Sequence, residues 1–293
     1  MAHDETVLMG RRTMATFSRL RTTPLRADTN FGAEIRDIDL RTADDETRKA
    51  VVEEFHRSGA ILIRGQQLSP EELVQFVSLF GEAEDHTNKA FVMPEQEKVY
   101  ILSNRIGSHR DGVGWHTDYS YKEEPVMSTM LYAVEVPDEG GETYLADMVA
   151  AFNALPVDRQ EELGRLKLHH SWEYFMTNRE DARMEITPDL LAENPDVVHP
   201  LIRTHPADGR KALWVSTGTV KAIIGQADPK DLSLLDELVA FGTGDRFVFK
   251  HKWRVGDILM WDNRCTLHTG SAFDDQKYYR TMHRLWVRGD RPY

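Results

Sequence analysis

Two stretches of this chain carry residue types that bind and use a transition metal. The first is Trp115-His116-Thr117-Asp118, and the second, far downstream, is Trp261-Asp262-Asn263-Arg264-Cys265-Thr266-Leu267-His268. Residues two apart in an extended strand project from the same face, so His116 and Asp118 can address one ion while Thr117 turns away. The second imidazole must come from elsewhere. His268 lies 152 residues further on, beside a predicted strand. Two neutral imidazoles and one carboxylate on one face of an octahedral Fe(II) leave three positions open, and open positions are where oxygen chemistry takes place. Zinc, manganese and cobalt also fit such a donor set.

A His-x-Asp pair alone is a weak signal in a chain with 12 histidines. His86, His109, His169, His170, His199, His205, His251 and His283 each read more simply as structural or solvent-facing groups than as ligands. The neighbourhood adds weight. Arg284 follows His268 by 16 residues. A guanidinium is a planar fork that grips a carboxylate with two parallel bonds, as the far end of a chelating 2-oxo diacid requires. A surface ion pair is the competing reading. Arg280, four residues earlier, shares the face of Arg284 if the segment is a strand. Thr143 follows the Gly140-Gly141 turn and offers a hydroxyl to the same carboxylate, although a plain turn residue is the simpler reading.

These residues need a scaffold. The segment 31–40 reads as a first strand with a turn. The segment 47–57 reads as a helix with Val51, Val52 and Phe55 on one side, ending near Gly59. The apolar run 60–63 reads as a buried strand. Ser69-Pro70-Glu71-Glu72 has a capping-box pattern with proline at the first helical position, and Leu73, Phe76, Val77 and Phe80 follow at helical spacing. Strands are expected at 99–102, 129–134 and 166–172, with a helical insertion at 148–163 closed by Gly164. The segments 201–204 and 213–215 flank a Pro206-Ala-Asp-Gly209 turn and form a hairpin. A helix at 233–239 and strands at 247–249, 258–261 and 283–287 complete the pattern. Many short strands with peripheral helices predict a mainly β sandwich or barrel. No repeat or composition break divides 23–293, which reads as one domain, with 1–22 as a flexible arm.

The 293 residues are 41% hydrophobic, enough for a substantial core. No apolar run approaches the ~20 residues of a membrane span, and the polar start of the chain lacks a secretory h-region. The net charge of −12 argues against a nucleic-acid partner. The single cysteine, Cys265, excludes an intrachain disulfide and the usual thiolate zinc sites, and fits a reducing cytoplasm.

Taken in order, several motifs resemble the Fe(II)- and 2-oxoglutarate-dependent dioxygenases of the taurine dioxygenase and chlorophenoxyacetate dioxygenase family. They are Trp-His116-Thr-Asp118, Gly140-Gly-Glu-Thr143, His199-Pro-Leu-Ile-Arg-Thr-His205, Gly209-Arg-Lys-Ala-Leu213, Trp261-Asp-Asn-Arg264, His268 and Arg280-Thr-Met-His-Arg284. The match runs from about residue 24 to residue 293. The resemblance implies a double-stranded β-helix, or jelly roll, with helices outside. It implies Fe(II) held by His116, Asp118 and His268, and a 2-oxoglutarate cosubstrate whose far carboxylate is gripped by Arg284 with Thr143. It implies O2 as oxidant, hydroxylation of a substrate C–H bond, and release of succinate and carbon dioxide. Hydroxylation next to a heteroatom then collapses to a carbonyl product. Asp118 speaks against the related halogenases, whose site lacks the carboxylate. Relatives commonly form dimers or tetramers, so a homo-oligomer is expected.

The substrate side departs from taurine binding. Gly112 stands where an asparagine helps hold the sulfonate, and Lys89 stands three residues after His86 where a tyrosine is expected. The expected substrate is a small or medium organic acid, with its anion near His86, Lys89, Arg105 or Arg110. Tyr119, Tyr121, Tyr174, Phe175 and Trp214 are candidate pocket walls, against ordinary core packing. Two other outcomes share these residues. The same iron site could carry out desaturation, cyclisation or another oxidative rearrangement. A non-catalytic, metal-bearing jelly-roll binding protein is the other, but an open site beside a carboxylate-gripping arginine is unlike a structural metal, whose shell is closed.

Overall fold

The computed structural model describes residues 20–87, 89–107, 114–178 and 186–293. Residues 1–19 of the expected arm lie outside them, and its last two residues, Arg21 and Thr22, are not arm but the start of a strand, Arg21–Pro24, paired with Ala33–Arg36. An eight-stranded sheet forms the larger half, in the order Arg21–Pro24, Ala33–Arg36, Ala60–Ile63, Ile258–Asp262, Ser128–Glu135, Thr281–Val287, Gln96–Ser103 and Val92–Met93. A three-stranded sheet faces it, with Thr143–Asp147 between Val248–His251 and Thr266–Gly270. Lys167–His170 pairs with Val220–Ile224 and Val197–Pro200 in a further sheet, and Ile202–Thr204 with Lys211–Leu213 in the expected hairpin. Two facing sheets of mostly antiparallel strands, with helices outside, are the expected jelly roll.

Strand period two decides which side chains meet the site. In Ile258–Asp262 every residue is buried, because both faces of this central strand are covered. Ile258 and Met260 join a core cluster with Val51, Phe55, Leu73 and Phe76, under the helices Asp45–Ser58 and Pro70–Val77. Leu259 and Trp261 point the other way, between the sheets, with Leu131, Leu145 and Met282. Each such buried side chain stabilises the fold by about 1.5–3 kcal/mol. Arg284 and Trp286 alternate in step with Met282, so they too face the interior. Thr143 is in step with Leu145 and does the same.

Both outer helices start and stop as their sequences dictate. The Asp44 side chain accepts from the Thr47 N–H, and Gly59 ends that helix in a left-handed conformation. Ser69 and Glu72 close a full capping box with Pro70 at the start. Two expectations need correction. The stretch 148–163 is two helices, Met148–Asn153 and Val157–Leu163, separated at Pro156. Proline lacks an N–H and disfavours helix at the residue before it. The strand expected at 166–172 stops at His170, because Ser171 accepts from the Tyr174 N–H and caps a short helix, Trp172–Thr177.

Candidate metal centre and its pocket

His116 and His268 form an antiparallel bridge between two otherwise separate segments. Their rings lie 4.1 Å apart, centre to centre. Asp118 turns back towards both. Its Oδ1 is 3.5 Å from His116 Nε2, and its Oδ2 is 3.7 Å from His268 Nε2. One donor atom from each residue falls within a 4.8 Å group. Two imidazole nitrogens and one carboxylate oxygen at this spacing fit a single divalent ion. The far nitrogen of His116 fixes its ring, since Nδ1 donates to the Gly114 carbonyl at 2.8 Å and Nε2 turns to the carboxylate.

The turn between Ile258–Asp262 and Thr266–Gly270 sets His268 in place. Arg264 grips Asp262 at both oxygens, at 2.9 and 2.6 Å, and His205 Nε2 donates to the same carboxylate at 3.0 Å. The Asn263 carbonyl accepts from the Thr117 hydroxyl at 2.9 Å and from the Trp214 indole at 3.0 Å. Thr117 does turn away from the metal face, and it ties the first ligand pair to this turn. His205, Asp262 and Cys265 also bring ligand-type atoms together. The Asp262 carboxylate is already held by Arg264 and His205, and burial pushes the Cys265 thiol up, away from the thiolate a metal needs. This group is a structural clasp.

Charge is strongly organised at the triad. Burial opposes ionisation of Asp118, but His268, His116 and Arg284 outweigh it and hold the carboxyl well below its ordinary range. Burial lowers His268 to about 3, with His116 adding to the effect. For His116, burial works downward, yet the adjacent Asp118 carboxylate brings the net shift upward. An ionised carboxylate beside a neutral imidazole at His268 is the protonation a divalent ion requires.

Thr143, Arg280 and Arg284 line one pocket with the triad. Gly140 and Gly141 both have positive φ, and a Cβ on Gly140 would lie 2.5 Å from the Ala272 carbonyl. Only glycine allows this turn, which delivers Thr143 to the pocket. Arg280 Nε donates to the Gly141 carbonyl at 3.1 Å, and burial alone lowers its guanidinium to about 10. Arg284 lies over Tyr100 at 4.5 Å and Trp286 at 4.1 Å, and its Nε is buried without a hydrogen-bond partner among the described residues. The charge of Arg284 acts on His86, His116, Asp118, Tyr119 and His268. Trp286, on which Arg284 packs, donates to Asp118 Oδ2 at 3.0 Å, which sets Arg284 at the triad end of the pocket, whereas Arg280, bonded to Gly141, sits at the Thr143 end.

The substrate candidates divide. His86 is buried beside Trp286 and Tyr100, with rings 4.6 and 5.1 Å away, and its Nε2 donates to the Lys98 carbonyl at 3.0 Å. Tyr119 lies 4.5 Å from Trp286 and 5.5 Å from Tyr121, and Tyr121 stacks on Phe175 at 5.8 Å. Tyr119 is tied to the triad end through Trp286, and none of these three rings lines the pocket that holds the triad. Tyr119 holds φ 54, a costly conformation for a large side chain, immediately after a ligand. Its hydroxyl accepts from the Thr87 N–H at 3.0 Å. Tyr174 is half-buried on the same short helix as Phe175.

Three expectations are corrected. Lys89 is exposed, and its one ion pair among the described residues is with Asp85 at 3.9 Å. Arg105 is committed to both oxygens of Glu135, at 2.8 and 2.6 Å, and stacks on Tyr279. Trp214 is buried under the Asn263 turn between His170 and His199, as core. Arg110 and Gly112 lie outside the described residues. Three residues at the site went unread in the sequence, namely Thr129, Asn263 and Trp286. Trp286 could have been found from its two-residue offset from Arg284; for Thr129 there was no local signal.

Comparison with known proteins agrees with this geometry. A model of the family described as "Taurine catabolism dioxygenase TauD, TfdA family" matches residues 21–286. The alpha-ketoglutarate-dependent 2,4-dichlorophenoxyacetate dioxygenase of Cupriavidus pinatubonensis is 34% identical over 265 residues, covering 83% of this chain and 90% of that protein. Pentalenolactone F synthase of Streptomyces arenae is 31% identical over 234 residues, covering 73% and 77%. The crystal structure of AAD-2 in complex with Mn(II) and N-oxalylglycine superposes with a TM-score of 0.79 at 28% identity, covering 93% of this chain and 98% of that one. The protein is accordingly an enzyme that uses Fe(II), 2-oxoglutarate and O2. The chain belongs to the TauD, TfdA dioxygenase family.

Proposed function

We propose that the enzyme hydroxylates an aryloxyalkanoic acid, or a close relative with an anionic group and an apolar body, next to its ether oxygen. The position of Arg284 carries this reading. It is a half-buried guanidinium at the triad end of the pocket, its Nε buried, with no ion pair among the described residues, packed against Tyr100 and Trp286. A carboxylate gripped by Arg284 would bring its ring against Trp286 and the adjoining Tyr119. The dichlorophenoxyacetate specificity named for the 34% identical relative supports the same class.

His116, Asp118 and His268 would hold the iron, which with 2-oxoglutarate and O2 would supply the oxidising power. A 2-oxoglutarate bound to that ion by its keto-acid end would bring its far carboxylate to the arginine further from the triad. We assign that role to Arg280, with the Thr143 hydroxyl beside it. Arg284, which the sequence paired with Thr143, is thereby free for the substrate anion. Thr143 Oγ1 already accepts from Trp253 Nε1 at 3.1 Å, so its own proton is available to an incoming carboxylate. Leu102, Leu131 and Phe273 give the same pocket an apolar side.

The reading includes one catalytic domain that takes in the paired strand Arg21–Pro24 and runs to residue 293, and a dimeric or tetrameric assembly acting in the cytoplasm on neither nucleic acid nor membrane. No helix among the described residues is long and apolar enough to cross a membrane.

The test is succinate release with Fe(II), ascorbate and 2-oxoglutarate across aryloxyacetates, aryloxypropionates, sulfonates, phosphonates, amino-acid derivatives and polycyclic acids. Aryloxyalkanoates should stimulate release at least about tenfold over background and yield the free phenol. Stimulation by a sulfonate or polycyclic acid, with none by any aryloxy acid, would reject the substrate class.

A further inference from the structure

We infer that Thr129, Trp286 and Asn263 fix Asp118 as a one-oxygen ligand and thereby keep a coordination position open. The inference rests on the metal assignment above. The two oxygens of Asp118 differ in their surroundings. Oδ2 accepts from the Thr129 hydroxyl at 2.5 Å and from the Trp286 indole N–H at 3.0 Å. Oδ1 has neither donor and stands 3.5 Å from His116 Nε2. Yet Oδ2 is 3.7 Å from His268 Nε2, close enough to reach the same ion. Its two donors are what occupy it.

The direction of the Thr129 proton is not free. Asn263 Nδ2 donates to Thr129 Oγ1 at 2.9 Å. An amide nitrogen only donates, and a hydroxyl has one proton, so that proton must go to Asp118. Asn263 is itself oriented, because its Oδ1 accepts from the Trp261 indole at 3.2 Å. A flipped amide would set donor against donor at Trp261. Its main chain is held as well, by Met127, Thr117 and Trp214. Thr129 and Asn263 are each 1% exposed and Trp286 4%, so water does not compete for these bonds. Bonds to an ionised acceptor in such surroundings are strong.

The consequence is a matter of counting. An octahedral ion with two imidazoles and one carboxylate oxygen keeps three positions, two for a chelating cosubstrate and one for O2. If Asp118 bound through both oxygens, one of the three would be lost. Thr129, Trp286 and Asn263 are positioning residues, which act through Asp118.

Mn(II) alone is a sufficient probe. Pulsed EPR in D2O counts the exchangeable waters on the bound ion, and the free Mn(II) signal gives Kd. The unaltered protein should hold about three waters. The pair Thr129→Val with Trp286→Phe should hold about two, with Kd changed about tenfold or more. Thr129→Val alone, nearly isosteric, should lower the count part-way, and Thr129→Ser should restore it. An unchanged count and Kd in Thr129→Val overturns the inference, whether or not the double variant folds. An unaltered protein that binds no Mn(II) would instead overturn the metal assignment itself.

Discussion

His116 and His268 exchange both of their main-chain hydrogen bonds, at 3.0 and 2.9 Å, so the two imidazoles are opposed by backbone pairing before any ion arrives. The pairing does not use the side chains. Substitution of a ligand should therefore empty the metal site and spare the fold. His116→Ala, Asp118→Ala and His268→Ala should each weaken Mn(II) binding by at least about a hundredfold, beyond the usual cost of losing an outer hydrogen-bond partner. Each should abolish succinate release. Far-UV circular dichroism and calorimetric metal titration check this, and tight binding retained in any of the three removes that residue from the ligand set.

The two arginines of the pocket should separate in kinetics. Arg280→Ala should raise the KM for 2-oxoglutarate at least about tenfold and leave substrate KM within about twofold, because loss of a charge-assisted bidentate contact costs about 1.5–3 kcal/mol. Arg284→Ala should do the reverse. Steady-state rates with each compound varied in turn decide the matter. A 2-oxoglutarate effect confined to Arg284→Ala would restore the pairing with Thr143 that the sequence suggested.

That pairing shows where sequence reasoning reached its limit. His116 and Asp118 could be paired because strand period two and the Trp-His-Thr-Asp spacing are local, while His268, far downstream, was joined to them only through its own motif and the family resemblance. The outer helices were legible because Asp44, Gly59, Ser69 and Glu72 cap them within a few residues. Arg280 stands just before the strand Thr281–Val287 and Arg284 within it, beyond a register shift at Thr281 and Met282, and nothing local says which is nearer the triad. Their order depends on Gly141 and Tyr100, which are far away in the chain and meet them only in the fold. Thr129 was invisible for the same reason, since its partner Asn263 is 134 residues away.

Arg105 and Lys89 illustrate the converse error, in which a charge close to the ligands in sequence is spent elsewhere in space. Arg105 is about half exposed and already holds Glu135. Lys89 is more exposed still. Surface pairs of this kind contribute about 0–1 kcal/mol. Arg105→Ala and Lys89→Ala should leave substrate KM within about twofold and the melting temperature within a few degrees, roughly. A rise in substrate KM of about tenfold in either variant, measured alongside Arg284→Ala, would return that residue to the pocket.

Acid should destabilise the metal-free protein through histidines that play no part in metal binding. Burial, reinforced by Arg284, lowers His86 to about 3. Burial lowers His199 to about 4, against the opposing bond to the Lys122 carbonyl. Both groups are 1% exposed. The ordinary value is 6.5, so between there and about 4 the unfolded chain takes up protons that the folded chain refuses. Stability from these two is complete above 6.5 and falls as pH drops, by up to about 1.4 kcal/mol per pH unit for each. His116 has the opposite sign, since its raised value favours the folded state at lower pH and offsets part of the loss. Urea unfolding in chelator at about pH 7.5 and about pH 4.5 should show a net fall in unfolding free energy. His199→Gln should flatten the slope, because the glutamine cannot titrate. A pH-independent unfolding free energy across that range would mean that neither imidazole stays neutral in the folded protein.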